Sequence, residues 1–169
     1  MVSSVGSGNT RPFVGASDIA MVYSVTEIQG LNRISEQVLG NAAHALVGMM
    51  KTPARFGVQG KPALGLSLSD QTTTCVHAVT KLLETSFDCL LFHTTGVGGQ
   101  SMEKLAWDGQ LVGLLDISTT EIANAIAGGV FSSGPERLDG VAQTGLPYVG
   151  SCGGLDMVHF HAMASVPDR

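Results

Sequence analysis

The chain has 169 residues, 44% of them hydrophobic and only 14% charged, which suits a compact core and excludes a disordered tail or a miniprotein dependent on disulfides. The formal net charge of −5 leaves no basic stripe for a nucleic-acid backbone, and no apolar run reaches the ~20 residues that a membrane-spanning helix needs. Neither nucleic acid nor a membrane is an expected partner.

The charge is uneven. Residues 1–61 carry five Lys/Arg against three Asp/Glu, and residues 62–169 carry four against eleven. Three cysteines, Cys75, Cys89 and Cys152, form no C-x-x-C pair, which fits a reducing compartment, and a cytoplasmic location is expected. So apolar a chain with so few charges should have part of its surface covered, by a second copy in a homo-oligomer or by a missing first half of a longer protein.

In chain order, Met1 to Val5 and Ile19 to Val25 read as strands. Leu31 to Met50 reads as a long helix, apolar almost all round, and is expected to be buried within the domain or at a subunit contact. Thr52 to Lys61, with Pro53, Gly57 and Gly60 and followed by Pro62, is the best linker candidate. From residue 62 onward short apolar runs alternate with helical patterns, the signature of βαβ units on a parallel sheet. Strands are expected at Ala63 to Leu68, Cys89 to Phe92, Leu111 to Ile117 and Leu146 to Gly150. Helices are expected after Thr72 to Thr74 as far as Thr85, from Ser101 to Trp107, from Glu121 to Ala127 and from Pro135 to Gln143. The fold class is thus a three-layer, Rossmann-like α/β domain with a mostly parallel sheet, residues 1–61 adding strands and the apolar helix to a βαβ core at 62–169.

In such a sheet ligands sit beyond the carboxyl ends of the strands. The turns expected there share one chemistry: Ser69 to Thr74 with Thr72, Thr73 and Thr74; Thr94, Thr95, Gly96, Val97, Gly98 and Gly99; Ser118, Thr119, Thr120 and Glu121; Ser132, Ser133 and Gly134; and Ser151 to Gly154. Hydroxyls, glycines and N–H groups at helix N-termini suit an anion, so a phosphate- or carboxylate-bearing ligand is expected on this edge. Each hydroxyl is equally readable as a helix cap and each glycine as a tight turn. The Gly96 to Gly99 stretch follows a strand and opens a helix, yet it is neither a Walker A loop nor a complete dinucleotide fingerprint, although Asp116 lies about 20 residues on.

Weaker signals are His159-Phe160-His161, a metal pair without a third ligand, and Cys152, a thiol with no partner to activate it. Asp18, Glu121 and Asp156 are the acids of interest. Beside a binding domain, two alternatives stand: a small-molecule enzyme with Glu121 or His93 as general base, or a protein-interaction segment with no ligand.

Longer stretches carry a resemblance. Gly15-Ala16-Ser17-Asp18-Ile19, Gly30 to Ser35, Phe92 to Leu105, Leu115 to Glu121, Ser133-Gly134-Pro135-Glu136-Arg137-Leu138 and Gly154 to Val158 resemble, in order and spacing, successive signatures of the plant tobamovirus-resistance protein family and its bacterial relatives. The resemblance implies a Tm-type, ATP-binding protein of two consecutive Rossmann-like halves, of which this chain looks like the second. ATP is then the first candidate ligand, His93 to Gly99 and Ser118 to Glu121 match the family's turns, and in the plant member the resemblance implies binding to a viral replication protein. No metal is implied.

Overall fold

A computed structural model describes residues 1–51 and 60–167. Most of the expected linker, residues 52–59, lies outside the described residues. The chain divides into two compact units, 1–57 and 58–169.

In the first unit, strands β1 (Val2–Ser3) and β2 (Val22–Tyr23) pair in parallel. Both are far shorter than the runs expected at 1–5 and 19–25, because a 3-10 turn begins at Ser4 and a helical turn, α1 (Arg11–Val14), intervenes. Helix α2 (Arg33–Lys51) starts where the sequence says it can. The Asn32 side chain accepts from the N–H groups of Ile34 and Ser35, both at 3.0 Å, and Ser35 Oγ accepts from Asn32 N, so two orphan donors of the first turn are satisfied reciprocally. The expected burial of this helix is not what the single chain shows. Ser35 is its one buried residue, and Leu46, Val47, Met49 and Met50 are all exposed, as is Leu31 just before it.

The second unit is an α/β sandwich. Its strands β3 (Ala63–Leu68), β4 (Asp88–His93), β5 (Gly113–Ser118) and β6 (Tyr148–Gly153) form one sheet in the order β4-β3-β5-β6, every neighbour parallel. Helix α3 (Thr73–Leu83) covers one face, where Val76 packs with Leu64 and Leu66 of β3 and the half-buried Leu115 and Ile117 of β5. Helices α4 (Gly98–Trp107) and α6 (Asp139–Thr144) cover the other, where Met102, Ala106 and Val141 pack with Leu111 and Leu114. Each fully buried aliphatic side chain of these two layers contributes roughly 1.5–3 kcal/mol. At Gly65 a Cβ would stand 2.9 Å from both Met102 and Leu111, so the missing side chain is what lets α4 approach the centre of the sheet.

Of the boundaries that move, three bear on the site. Helix α4 begins at Gly98, not Ser101, so Gly98 and Gly99 form its first turn. Strand β6 extends to Gly153, and a bulge between the Asp116 and Ser118 pairings takes up the extra residue, so Ser151 and Cys152 lie on a strand instead of a turn. The helix expected from Pro135 begins only at Asp139. Leu138 adopts φ 85° just before it, a conformation costing on the order of 1–3 kcal/mol that persists only where its surroundings fix it.

Candidate functional site

The strand order places β4 on one side of β3 and β5 on the other. The chain therefore leaves β3 and β5 in opposite directions, and the crevice between their carboxyl ends is a topological switch point, where open α/β sheets bind ligands. The turns that flank it are Ser69 to Thr74, leading into α3, and Ser118 to Glu121, leading into α5 (Thr120–Ala127).

Across the crevice the hydroxyls meet. Ser118 Oγ donates to Ser69 Oγ at 2.6 Å, Thr94 Oγ1 lies 3.4 Å from Ser118 Oγ, and the Ser118 N–H donates to Ser67 Oγ at 2.8 Å. Thr72 Oγ1 accepts from Ser69 N and donates to its carbonyl, which ties the start of the α3 turn together. The remaining turns join the same edge: Thr119 Oγ1 donates to the Ser151 carbonyl, Thr120 Oγ1 to that of Met157, and Gln100 Nε2 to that of Ser133. Gly154, at φ 70°, passes within ordinary contact of Ser69 and Ser118, a Cβ there lying 3.7 Å from each Oγ.

The five turns thus converge, but to different depths. Ser69, Thr72, Thr94, Gly96, Gly99, Ser118, Thr119, Thr120, Glu121 and Ser133 are buried; Thr73, Thr95, Gly98, Ser132 and Gly134 are half-buried; Asp70, Thr74, His93, Ser151 and Cys152 form an exposed rim. On that rim His93 Nε2 stands 3.5 Å from Asp70 Oδ1. No accessible Lys or Arg head is held against it among residues 60–167: Lys104 pairs with Asp108, Lys61 donates to the Glu84 carbonyl, Lys81 lies in the last turn of α3, and Arg137 is buried.

Beneath the rim lies a cluster of charges on the α4 and α6 side of the sheet. The guanidinium of Arg137, its side chain 2% exposed, meets three carboxylates. Nη2 donates to both oxygens of Asp116 at 2.9 and 2.7 Å, Nε to Glu121 Oε2 at 3.1 Å, and Nη1 to Glu103 Oε1. Asp116 also accepts from the Tyr148 hydroxyl at 3.0 Å, and Glu103 from the N–H of Leu138 at 2.8 Å. That last bond explains the unusual backbone of Leu138: the turn is bent so that Arg137 points inward and the following N–H reaches a carboxylate. Burial by itself lowers the pKa of Arg137, but Asp116, Glu103 and Glu121 outweigh it and the net shift is upward. Tyr148 is likewise pushed up, by burial first and then by the charge and hydrogen bond of Asp116.

The second oxygen of Glu121, Oε1, takes the N–H groups of Gly96 and Gly99 at 2.7 and 3.2 Å. The carboxylate is fully buried, so it has no route to a substrate and no spare lone pair directed at one, which removes it as a general base. Asp116 is equally enclosed and cannot serve a ribose. Of the two proposed bases, His93 alone reaches solvent.

Of the other candidates, Cys152 is exposed. The His159 ring lies tilted against Phe131, centroids 4.7 Å apart, with Nδ1 buried and unpartnered, and His161 is exposed. Among the described residues no group of three or more His, Cys, Asp or Glu is placed to hold a metal ion, and no helix is long and apolar enough to cross a membrane. Asn124, fully buried on α5, fixes the loop beyond the site by accepting from the N–H groups of His159 and Phe131. An open recess lined by Lys61, Thr80, Glu84, Asp88 and Cys89 lies at the opposite, amino end of β4, where the Cys89 thiol is pushed up by burial and by Asp88 and Glu84.

Two family models match the chain. The model described as the Uncharacterised protein family (UPF0261) C-terminal domain matches residues 61–169, and that of the N-terminal domain matches residues 1–55. The chain belongs to the UPF0261 family. The two models meet where the two units of this UPF0261 chain divide. It is 50% identical over 169 residues to a UPF0261 protein of Mesorhizobium japonicum, with all of this chain and 42% of the relative covered. A UPF0261 protein of Rhizobium meliloti is 49% identical over the same length and coverage. The tomato ToMV resistance protein Tm-1 is 38% identical over 173 residues, covering 99% of this chain and 23% of its own. The chain spans less than half the length of these relatives.

Proposed function

We infer that the second unit binds a phosphate-bearing small molecule, with ATP the first candidate, in the crevice between the carboxyl ends of β3 and β5. The observation that supports this is the switch point itself: the crevice is flanked by two turns whose hydroxyls already meet across it, at Ser69 and Ser118, and a glycine, Gly154, lies over them. The phosphate is held by the first turn of α3, where Thr73 and Thr74 are at least partly open to solvent and helix N–H groups supply a partial positive charge. With no accessible Lys or Arg of residues 60–167 held against the rim, recognition by this unit rests on neutral donors and on His93, so the affinity should depend only weakly on salt.

Calorimetric titration with ATP, ADP and inorganic phosphate, on the chain and on Thr74→Glu, tests the reading. A carboxylate in the first turn of α3 favours the helix but repels a phosphate. The variant should keep its melting temperature and lose binding. Equal binding by both proteins moves the site away from this turn, and no binding by the wild type rejects the reading for this chain.

A further inference from the structure

The glycine stretch after β4 looks like a phosphate loop, and its three glycines are each accounted for without a ligand. Gly96 adopts φ 90°, open to glycine and strained for other residues. At Gly98 a Cβ would lie 1.9 Å from the His93 carbonyl oxygen, a backbone atom with nowhere to go. At Gly99 it would lie 1.9 Å from Glu121 Oε2 and 2.6 Å from Arg137 Nε. The last distance shows what the loop is shaped around. Its bare backbone lets a carboxylate and a guanidinium seat directly against it.

We propose that Glu121 is the resident anion of this loop: a built-in stopper that fills the oxyanion cradle formed by Gly96 N, Gly99 N and Arg137 Nε and excludes external phosphate from it. Oε1 takes both backbone N–H groups and Oε2 takes the guanidinium, the donor set an oxyanion would otherwise recruit. The Glu121 side chain is fully buried, and the Arg137 charge that holds it is shared with Asp116 and Glu103. An incoming phosphate would have to expel a carboxylate into an environment holding two further carboxylates. The stopper therefore stays, and the turns carrying Gly96 to Gly99 and Ser118 to Glu121 act as one clasp. This goes beyond the phosphate reading: the clasp shares the Ser118 to Glu121 turn with the crevice, but none of the cradle's three donors, Gly96, Gly99 and Arg137, belongs to either turn that flanks it.

Truncation tests it by a gain of function. Glu121→Ala removes a CH2 and a carboxylate, the heavy-atom skeleton of acetate, so the vacated cradle should take acetate from solution. Thermal unfolding of Glu121→Ala should shift upward saturably with acetate in the millimolar range, while the wild type and Glu121→Gln show no saturable response. The amide resonances of Gly96 and Gly99 should move on truncation and return with acetate. A folded Glu121→Ala that ignores acetate, or one whose two amides do not move, overturns the proposal. If truncation prevents folding, the isosteric Glu121→Gln decides: the Gly96 and Gly99 amides should shift and exchange faster with solvent than in the wild type, and unchanged amides overturn it. Adding ATP to the labelled wild type separates this from the phosphate reading. Binding that leaves both amides in place supports the stopper, binding that displaces them refutes it, and no binding refutes only the phosphate reading while the acetate result still stands.

Discussion

Replacing Arg137 by Met keeps the aliphatic stem of the side chain and removes the guanidinium that stands among Glu103, Asp116 and Glu121. Breaking a buried ion pair by deleting one partner costs roughly 3–5 kcal/mol, because the other charge is left uncompensated. Here one guanidinium with a 2% exposed side chain serves three carboxylates, which puts the expected loss at the upper end of that range. For a unit of about a hundred residues each kcal/mol is worth roughly 4–8 °C in Tm, so a loss near 5 kcal/mol should lower the transition by about 20 °C or more. Lys104→Met is the matched control. Its partner Asp108 is well exposed, and a surface pair contributes about 0–1 kcal/mol. Urea unfolding with both Cm and m-value is the assay. A loss for Arg137→Met no larger than that of Lys104→Met, at unchanged m, would refute the claim that the cluster is desolvated and held by this residue. Combining Arg137→Met with Glu103→Gln, Asp116→Asn and Glu121→Gln should recover part of the loss, since neutral groups of the same shape need no counter-ion.

Arg137→Lys should lose nearly as much as the Met variant, because one ammonium cannot reproduce bonds from three guanidinium nitrogens to three carboxylates. Tyr148 is raised above its ordinary value of about 10, so its burial stabilises the fold fully below that pH and the contribution is lost as pH rises through the folded value; alkaline melts should show this loss in the wild type and less of it in Tyr148→Phe. Gly98→Ala, facing the His93 carbonyl at 1.9 Å, should be severely destabilised whether or not any ligand is present. Gly48→Ala, inside α2 with open space around it, should instead raise the stability of the first unit by about 0.5–1 kcal/mol, measurable by chemical denaturation.

The four parallel strands and the turns after them were readable because apolar runs alternating with helical periods admit one packing, a sheet covered on both faces. What could not be read was the direction in which Arg137 points. Two positions after Pro135, it suits the exposed face of a short helix, and only the bent backbone at Leu138, driven by a bond to Glu103 over 30 residues away in the chain, turns it inward. A trace of the cluster was present. Asp116 interrupts the run Leu114-Leu115-Asp116-Ile117, and Glu103 follows Met102 on the buried side of α4; charges at core-facing positions of so charge-poor a chain need a partner. Helix α2 is legible only in part for the complementary reason: periodicity reports that a face is apolar and says nothing about what covers it.

The glycine loop shows where pattern reading reaches its limit. A stretch of glycines between a strand and a helix signals that an anion is received there, because only bare backbone presents N–H groups so closely. The pattern does not say whose anion. In this fold the turn after β5 delivers a carboxylate at the position a phosphate would take, and the sequence distance between Gly96 and Glu121 is hidden because β4 and β5 are not neighbours: β3 lies between them. The acid turn and the glycine loop therefore read as two halves of one ligand site when each is in part the ligand of the other. With the charged donors of the α4 and α6 side consumed internally, the surface left for a small molecule is the hydroxyl-lined, weakly charged edge at the first turn of α3, and its ligand should be recognised by hydrogen bonds more than by charge.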